Sequence, residues 1–436
     1  MLQAFRQHLD THLDFLHDSK LLLAISGGLD SVVLAHLCYK LDLKVSFAHC
    51  NFNLRGAESD ADEEFVLELS EDLELKIFIE SFETETYAKE EGVSIQMAAR
   101  ELRYNWFYEL AEQLGFDYIL TAHHADDNLE TFLINLTRGT GLEGLTGIPE
   151  VSDKIVRPLL PFSRETMEAY AVAEHLKWQE DSSNASTKYL RNKLRHDIIP
   201  ILKQMNPQLL HNFQTTISNL QDSQDLIDDA VIKVQKKIVE VEDDQIKLSV
   251  EKLKKLSNPK AYLYQLLKDF NFTAWNDVVN LLDAQSGKQV FSATHRLLKD
   301  REFLLLSEIL EDIEETSVSI LKTDKEVSAP FGNLILNNVD AIGEVSKQEI
   351  YVDADLLKFP LTMRKWQEGD HFYPLGMKGK KKLSKYFKDE KMSLFDKENI
   401  WILFSDGDVV WVIDKRGDDR FKVTETTTNI LKIELR

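Results

Sequence analysis

Two rhythms of apolar residues alternate along the first half of the chain. Short apolar runs, LLLAI (21–25), KVSFAHC (44–50), KIFIESF (76–82), DYILTAH (117–123) and KIVRPLL (154–160), read as buried strands. Between them, apolar positions recur every three or four residues over Asp30–Lys40, Ser59–Leu73, Ser94–Leu114 and Asn128–Thr137, the spacing of helices. This strand–helix alternation predicts an α/β domain: a doubly wound, Rossmann-like parallel sheet with helices on both faces. SRETMEAYAVAEHL (163–176) predicts a further helix with Ser163 as its N-cap. The domain is expected to cover residues 1–215.

From 216 to 310 the rhythm becomes mainly helical and strongly charged. NLQDSQDLIDDAVIKVQKKIVEV (219–241), PKAYLYQLLKDF and WNDVVNLLDA are amphipathic, and KQVFSATHRLLKDREFLLL reads as short strands. In the last part, 315–436, β-branched alternation in WILFSDGDVVWVIDKRG surrounds an Asp406–Gly407 turn and predicts a small α/β domain. There is no internal repeat.

Composition narrows the classes. A chain of 436 residues exceeds one ordinary core, so two or three domains are expected. No apolar stretch is long enough to span a bilayer, and the opening MLQAFRQHLDTHLDFL is an amphipathic helix rather than a signal peptide. Cys38 and Cys50 cannot build a disulfide framework or a paired-cysteine metal or redox site, and both are spaced as core residues. A cytoplasmic location is expected, and no protein partner is evident.

The formal charge of -22 argues against indiscriminate coating of nucleic acid. The charge is uneven. Glu58–Glu91 holds 14 acidic residues against Lys76 and Lys89, whereas Arg364–Lys397 holds ten Lys or Arg against five acids. A basic patch on an acidic chain suits one confined nucleic-acid contact, or is a solvated charged face.

The strand 21–25 ends in SGGLDS, and two adjacent glycines there are unusual in a chain with 17 in all. In a parallel sheet, ligands bind at the carboxyl ends of strands, where the next helix aims its positive end. Glycines let an anion approach bare N–H groups, and Ser26 and Ser31 add hydroxyls. Asp30 would repel phosphate unless a divalent cation lies between them. It therefore points to nucleotide phosphates with Mg²⁺, with Asp30 as a ligand of the metal. The pattern is neither GxxxxGK[ST] nor GxGxxG. An ordinary turn with a capping aspartate is the plain alternative.

SGGLDS resembles the signature of the ATP pyrophosphatase (PP-loop) superfamily, which cleaves ATP between its α- and β-phosphates. AHCNFNLRGAESDADEEFV, ARELRYNWF, TAHHADDNLETFLINLTRGTGLEGLTGI, RPLLPFSRE, DSSNASTKYLRNKLRHDIIPIL and WQEGDHFYPLGMKGKKKLSKYFKD together resemble the tRNA(Ile)-lysidine synthetase family. The likeness covers most of 20–205 and about 360–400. It implies a five-stranded parallel sheet and a ligase that uses ATP to attach L-lysine to the wobble cytidine of an isoleucine tRNA with a CAU anticodon.

On that resemblance Ser26, Gly27, Gly28, Leu29, Asp30 and Ser31 bind ATP, and Arg103 faces its phosphates or the adenylate. Asp127, Glu130 and Arg195 contact the lysine, Asp30, Arg103 and Asp127 being the catalytic set. A helix starting near Asp126 would put Asp127 and Glu130 on one face, fit to hold an ammonium; N-capping is the plain reading of Asp126–Asp127. His49, Asn51 and His123 are placed to line the nucleotide pocket. Lys378, Lys380, Lys381, Lys382 and Lys385, with Tyr386 and Phe387 among them, suit tRNA backbone contact and base stacking. Another PP-loop enzyme, such as a tRNA thiolase, and a non-catalytic tRNA-binding protein stand as alternatives.

Overall fold

A computed structural model describes residues 1–180, 190–242, 245–309, 317–343 and 346–436. The chain divides into two compact units, Met1–Asp229 and Ala230–Arg436. Among the described residues no helix is long and apolar enough to cross a membrane.

In the first unit, strands β1 (Leu21–Ala24), β2 (Val45–Asn51), β3 (Ile77–Ser81), β4 (Tyr118–Leu120), β5 (Val151–Ser152) and β6 (Ile155–Val156) form one sheet in the order β3-β2-β1-β4-β6-β5. Leu21 stands beside both Val45 and Tyr118, so β1 is central. Its apolar run is continuous because both faces are covered. Leu21 and Leu23 enter one core with Val33, Leu37 and Phe47, whereas Leu22 enters another with Phe107, Ala111 and Ile119. Burying each such leucine contributes roughly 1.5–3 kcal/mol.

The sheet differs from the expected five parallel strands. β5 is a sixth, antiparallel to β6, because the chain reverses at Asp153 (φ 52°). β6 is also far shorter than the expected 154–160. Pro158 and Pro161 follow it and cannot donate to a ladder.

Helices α1 (Leu2–His12), α2 (Leu29–Lys40), α3 (Ala57–Asp72), α4 (Thr84–Glu90), α5 (Ile95–Leu114), α6 (Ala125–Arg138) and α7 (Arg164–Ala173) cover the sheet. The Ser163 hydroxyl accepts the Thr166 N–H, the cap expected from the sequence, and the Ser94 hydroxyl likewise caps α5 by accepting the Met97 N–H. α8 (Leu190–Lys193) runs into a π-helical turn, Leu194–Ile198, and then into α9 (Ile199–Met205) and α10 (Leu209–Ile238). Leu129, Ile199, Phe213 and Ile217 pack α6, α9 and α10 together. The stretch DSSNASTKY, 181–189, lies outside the described residues.

The second unit begins within α10, which stops at Ile238 rather than 241 because Val239–Glu242 joins a sheet. That antiparallel sheet runs Val239–Glu242, Gln245–Ser249, Phe303–Glu308, His295–Asp300, Gln289–Phe291. The expected helices are present beside it at Pro259–Leu267 and Trp275–Asn280, and a further short one runs over Val250–Lys254. The junction expected near 310–315 lies outside the described residues. Beyond it, Leu361–Lys365, Trp401–Ser405 and Asp408–Val412 form the centre of a second antiparallel sheet. Asp406 and Gly407 join the last two at φ 49° and 82°, a turn of the predicted kind.

Candidate active site

β1 hands over to α2 through the glycine turn. Gly27 takes φ 84°, where an L side chain is strained, and a Cβ there would lie 3.2 Å from Phe65 Cδ1. Gly28 is the N-cap of α2 (φ −74°, ψ 162°), which leaves the first-turn amides without intrahelical partners. The serines fold the loop onto itself. Ser31 Oγ accepts the Ser26 N–H (3.2 Å) and donates to the Gly28 carbonyl (3.0 Å), and Ser26 Oγ lies 3.2 Å from Ser31 Oγ. The Leu29 side chain is buried in the core, so of this residue it is the backbone that faces the loop.

A cleft of about 850 Å³ opens over the carboxyl ends of β1, β2 and β4. This is where strand order reverses about β1. Ser26, Gly28, Asp30 and Ser31 form one wall; Arg100, Arg103 and Tyr104 of α5 form another. Arg103 lies over the Phe52 ring (5.1 Å) and Arg100 over Tyr104 (4.8 Å). His49 and Asn51 line the cleft as expected. His49 Nδ1 is 2.9 Å from the Ile25 carbonyl, and the Asn51 amide donates to Glu63 at 2.8 Å. His123 also lines it, with Nδ1 2.9 Å from Thr121 Oγ1; burial pulls its pKa down to about 4, so the ring is neutral near pH 7.

Beside the cleft lies a dense charge cluster at the start of α6. The helix begins at Ala125, with His124 as N-cap. Asp127 Oδ2 accepts the His124 N–H (3.2 Å), so this carboxylate caps the helix and also faces the cleft. Asp126 accepts the Arg164 N–H at 2.9 Å and pairs with Lys203. Burial alone would raise the Asp126 carboxyl, but Lys203 and the Arg164 amide hold it below 3.8.

Arg195, carried by the π-helical turn, binds both predicted acids. Its Nη2 donates to Asp127 Oδ1 (2.8 Å) and Glu130 Oε2 (3.1 Å), and its Nε donates to Glu130 Oε1 (2.6 Å). Arg191 Nε stands 3.4 Å from Glu130 Oε2. Burial raises the Glu130 pKa against the pull of Arg195.

Asp30 connects the two halves. Arg164 Nη1 donates to its carboxylate at 3.1 Å, and His124 Nε2 lies 3.6 Å away. Burial pushes the Asp30 pKa up, but His124, Arg164 and Arg195 hold it below 3.8. The His124 ring is 1% exposed and sits among Asp30, Asp126 and Asp127 without a hydrogen bond to either nitrogen. Burial disfavours its charge, yet these carboxylates raise its pKa above 6.5.

Among the described residues no group of three or more His, Cys, Asp or Glu is arranged to hold a metal alone. Asp30 lines the cleft at the glycine turn and offers its carboxylate there. That fits Mg²⁺, which takes one or two carboxylates and completes its shell with substrate phosphates and water.

The structure brings Asp127 and Glu130 together through Arg195 and sets the glycine loop against the cleft. Spacing along the chain misses Arg164, Arg191 and Lys203, which reach the cluster from other elements. RPLLPFSRE contains Arg164, but nothing local marks that arginine as a partner of Asp30.

In the second unit, Lys378, Lys380, Lys382 and Lys385 are exposed, whereas Lys381 is half-buried and paired with Asp389 at 2.7 Å. The expected stacking by Tyr386 and Phe387 is corrected. Their rings are 2% and 0% exposed and pack with Phe372 and Leu383, because helix Leu383–Asp389 turns its apolar face inward.

A glycine turn at the switch point of a parallel sheet, opening on a nucleotide-sized cleft, defines the PP-loop class, and residues 1–202 match the PP-loop domain family. Residues 240–309 match the TilS substrate binding domain and 361–435 the TilS substrate C-terminal domain. The chain is 39% identical over 438 residues to the tRNA(Ile)-lysidine synthase of Parabacteroides distasonis, covering 99% of each. It is 38% identical to that of Bacteroides thetaiotaomicron (96% of this chain, 95% of the relative). With that of Caldanaerobacter subterraneus subsp. tengcongensis it shares 30% (96% and 94%). The chain belongs to the tRNA(Ile)-lysidine synthase family.

Proposed function

We propose that this protein attaches L-lysine to C2 of the wobble cytidine of an isoleucine tRNA bearing a CAU anticodon. The observation that carries the reading is the end-to-end likeness to tRNA(Ile)-lysidine synthases, which spans the cleft and the domains beyond it. The cytidine O2 attacks the α-phosphorus of ATP and pyrophosphate departs. The lysine ε-amine then attacks C2, AMP leaves with the former O2, and the amine loses a proton.

The arrangement of side chains supports each role. Backbone N–H groups of Ser26–Ser31 cradle the departing phosphates, and Arg103 offsets charge gathering on the α-phosphate. Mg²⁺ held by Asp30 and the phosphates would supply further charge neutralisation. Asp127 and Glu130 take the lysine ammonium, and Asp127, the cleft-facing acid, is placed to accept its proton. Arg195 suits the lysine α-carboxylate. Lys378, Lys380, Lys382 and Lys385 meet tRNA phosphates, and the segment before them orients the anticodon loop. Residues 1–215, 216–310 and 315–436 then serve catalysis, orientation and grip, in the cytoplasm.

Sulfur transfer, the nearest alternative chemistry, needs a thiolate. Burial pushes both Cys38 and Cys50 up to about 12.

Incubation with labelled lysine, ATP and this tRNA should place label in the tRNA, and Asp30→Ala should abolish it while leaving tRNA affinity nearly unchanged. Loss of tRNA binding in that variant would overturn the role given to the loop. Pyrophosphate release without lysine incorporation would favour another PP-loop activity.

A further inference from the structure

The acid pair beside the cleft is already filled by the protein's own cation. Each Glu130 oxygen takes an Arg195 nitrogen, at 2.6 and 3.1 Å, and Arg191 stands 3.4 Å from the second oxygen. The Glu130 side chain is 1% exposed and is not part of the cleft wall, whereas Asp127 is. An ammonium arriving in the cleft therefore meets Asp127 but reaches Glu130 after Arg195 has moved.

The charges close in the same way. Four carboxylates, Asp30, Asp126, Asp127 and Glu130, already face four permanent cations, Arg164, Lys203, Arg191 and Arg195, with the His124 ring among them. A bare amine added to such a cluster brings an unpaired charge into a partly buried space and displaces a guanidinium that finds no new partner. L-lysine brings two ammonium groups as the diamine does, but adds a carboxylate, so the guanidinium is not left unpaired. One ammonium takes over the acid pair while the carboxylate offers the released guanidinium a two-pronged replacement.

We infer that Arg195 is an internal stand-in for the substrate ammonium, whose exchange from Asp127 and Glu130 to the incoming α-carboxylate excludes diamines that lack this group. The inference rests on the reading of Asp127, Glu130 and Arg195 as the lysine-contacting set, and it makes Arg195 a specificity-determining residue. Selection here works by an unfavourable state imposed on the wrong ligand as well as by contacts to the right one.

Calorimetric titration of the full chain with L-lysine and with 1,5-diaminopentane, the same amine without the carboxylate, tests it. Wild type should bind lysine at least about tenfold more tightly than the diamine. In Arg195→Gln, lysine affinity should fall by about tenfold or more while diamine affinity rises at least about fivefold. Arg195→Lys keeps a cation and relieves Glu130 of an unpaired buried charge, so it guards against loss of the fold; it should lie between the two.

If lysine weakens in both variants but the diamine does not change, Arg195 merely holds the carboxylate and the exchange is wrong. If lysine does not bind wild type, or its binding is indifferent to Arg195→Lys and to Asp127→Asn, the amine sits elsewhere and the underlying reading fails.

Discussion

Asp126 shows how much a single carboxylate at this site contributes. It is largely buried, accepts the Arg164 N–H and pairs with Lys203, and these partners hold its pKa below 3.8. A carboxyl whose folded pKa is depressed stabilises the fold above its unfolded pKa and loses that contribution as pH falls through the folded value. Asp126→Asn should therefore cost about 1–3 kcal/mol near neutrality. The gap to wild type should narrow in acid, below the ordinary 3.8, as urea midpoints at neutral and acidic pH will report. A gap that widens on acidification would mean that the pairing with Lys203 carries no weight.

Among residues, the sequence pattern reveals those whose neighbours lie within a turn. Asp127 and Glu130 are three apart on α6, so their common face follows from helical geometry. Arg164 and Asp30 are 134 positions apart, and their contact depends on how α7 packs against α2. No local signal encodes that. His124 is an intermediate case: the strand end places it at the site, but its enclosure by three carboxylates is a product of tertiary packing.

At the scale of elements, the two glycines of the first turn have separate tasks. Gly27 meets a conformational demand, with φ at 84° and Phe65 close by; Gly28 has an ordinary φ, and its added Cβ would first meet Ser26 Oγ at 3.6 Å. Gly27→Ala should cost about 1–2 kcal/mol for the left-handed backbone. That lowers the melting temperature by about 2–8 °C. Gly28→Ala should leave melting within about 2 °C, yet raise the KM for ATP, since its methyl enters the cleft wall. Equal melting shifts in the two variants would refute this division.

Strands and helices are legible from the sequence to the extent that one rhythm decides them. β1 reads clearly because alternate leucines enter two different cores. The 154–160 run does not, because apolar character there serves core filling around prolines rather than a ladder. The edge strand Val239–Glu242 is hidden behind a helix pattern of the same period and is recruited by its neighbour Gln245–Ser249. Tertiary pairing overrides propensity at such ends.

For the molecule as a whole, an acidic chain of net charge -22 must confine its contact with tRNA to a basic surface. Composition marks the basic stretch 364–397 as the one proposed for that contact but cannot sort its lysines. The structure separates Lys381, paired with Asp389, from Lys378, Lys380, Lys382 and Lys385, which are exposed. Replacing any one of the four by alanine should weaken tRNA binding and flatten the logarithmic salt slope by about one unit. Lys381→Ala should change the slope less, because its charge is already offset by a carboxylate. Filter-binding titrations over a range of salt will decide; a slope unchanged by the four would remove the segment 378–385 from the tRNA contact.

Arg164 joins two parts of the site that belong to different elements. Its side chain grips Asp30 beside the glycine turn, and its main-chain amide grips Asp126 at the start of α6. One residue thus ties the glycine turn to the start of α6, much as a brace joins two posts. A change at Arg164 is therefore felt at both places at once, although Asp30 and Asp126 are 96 positions apart in the chain.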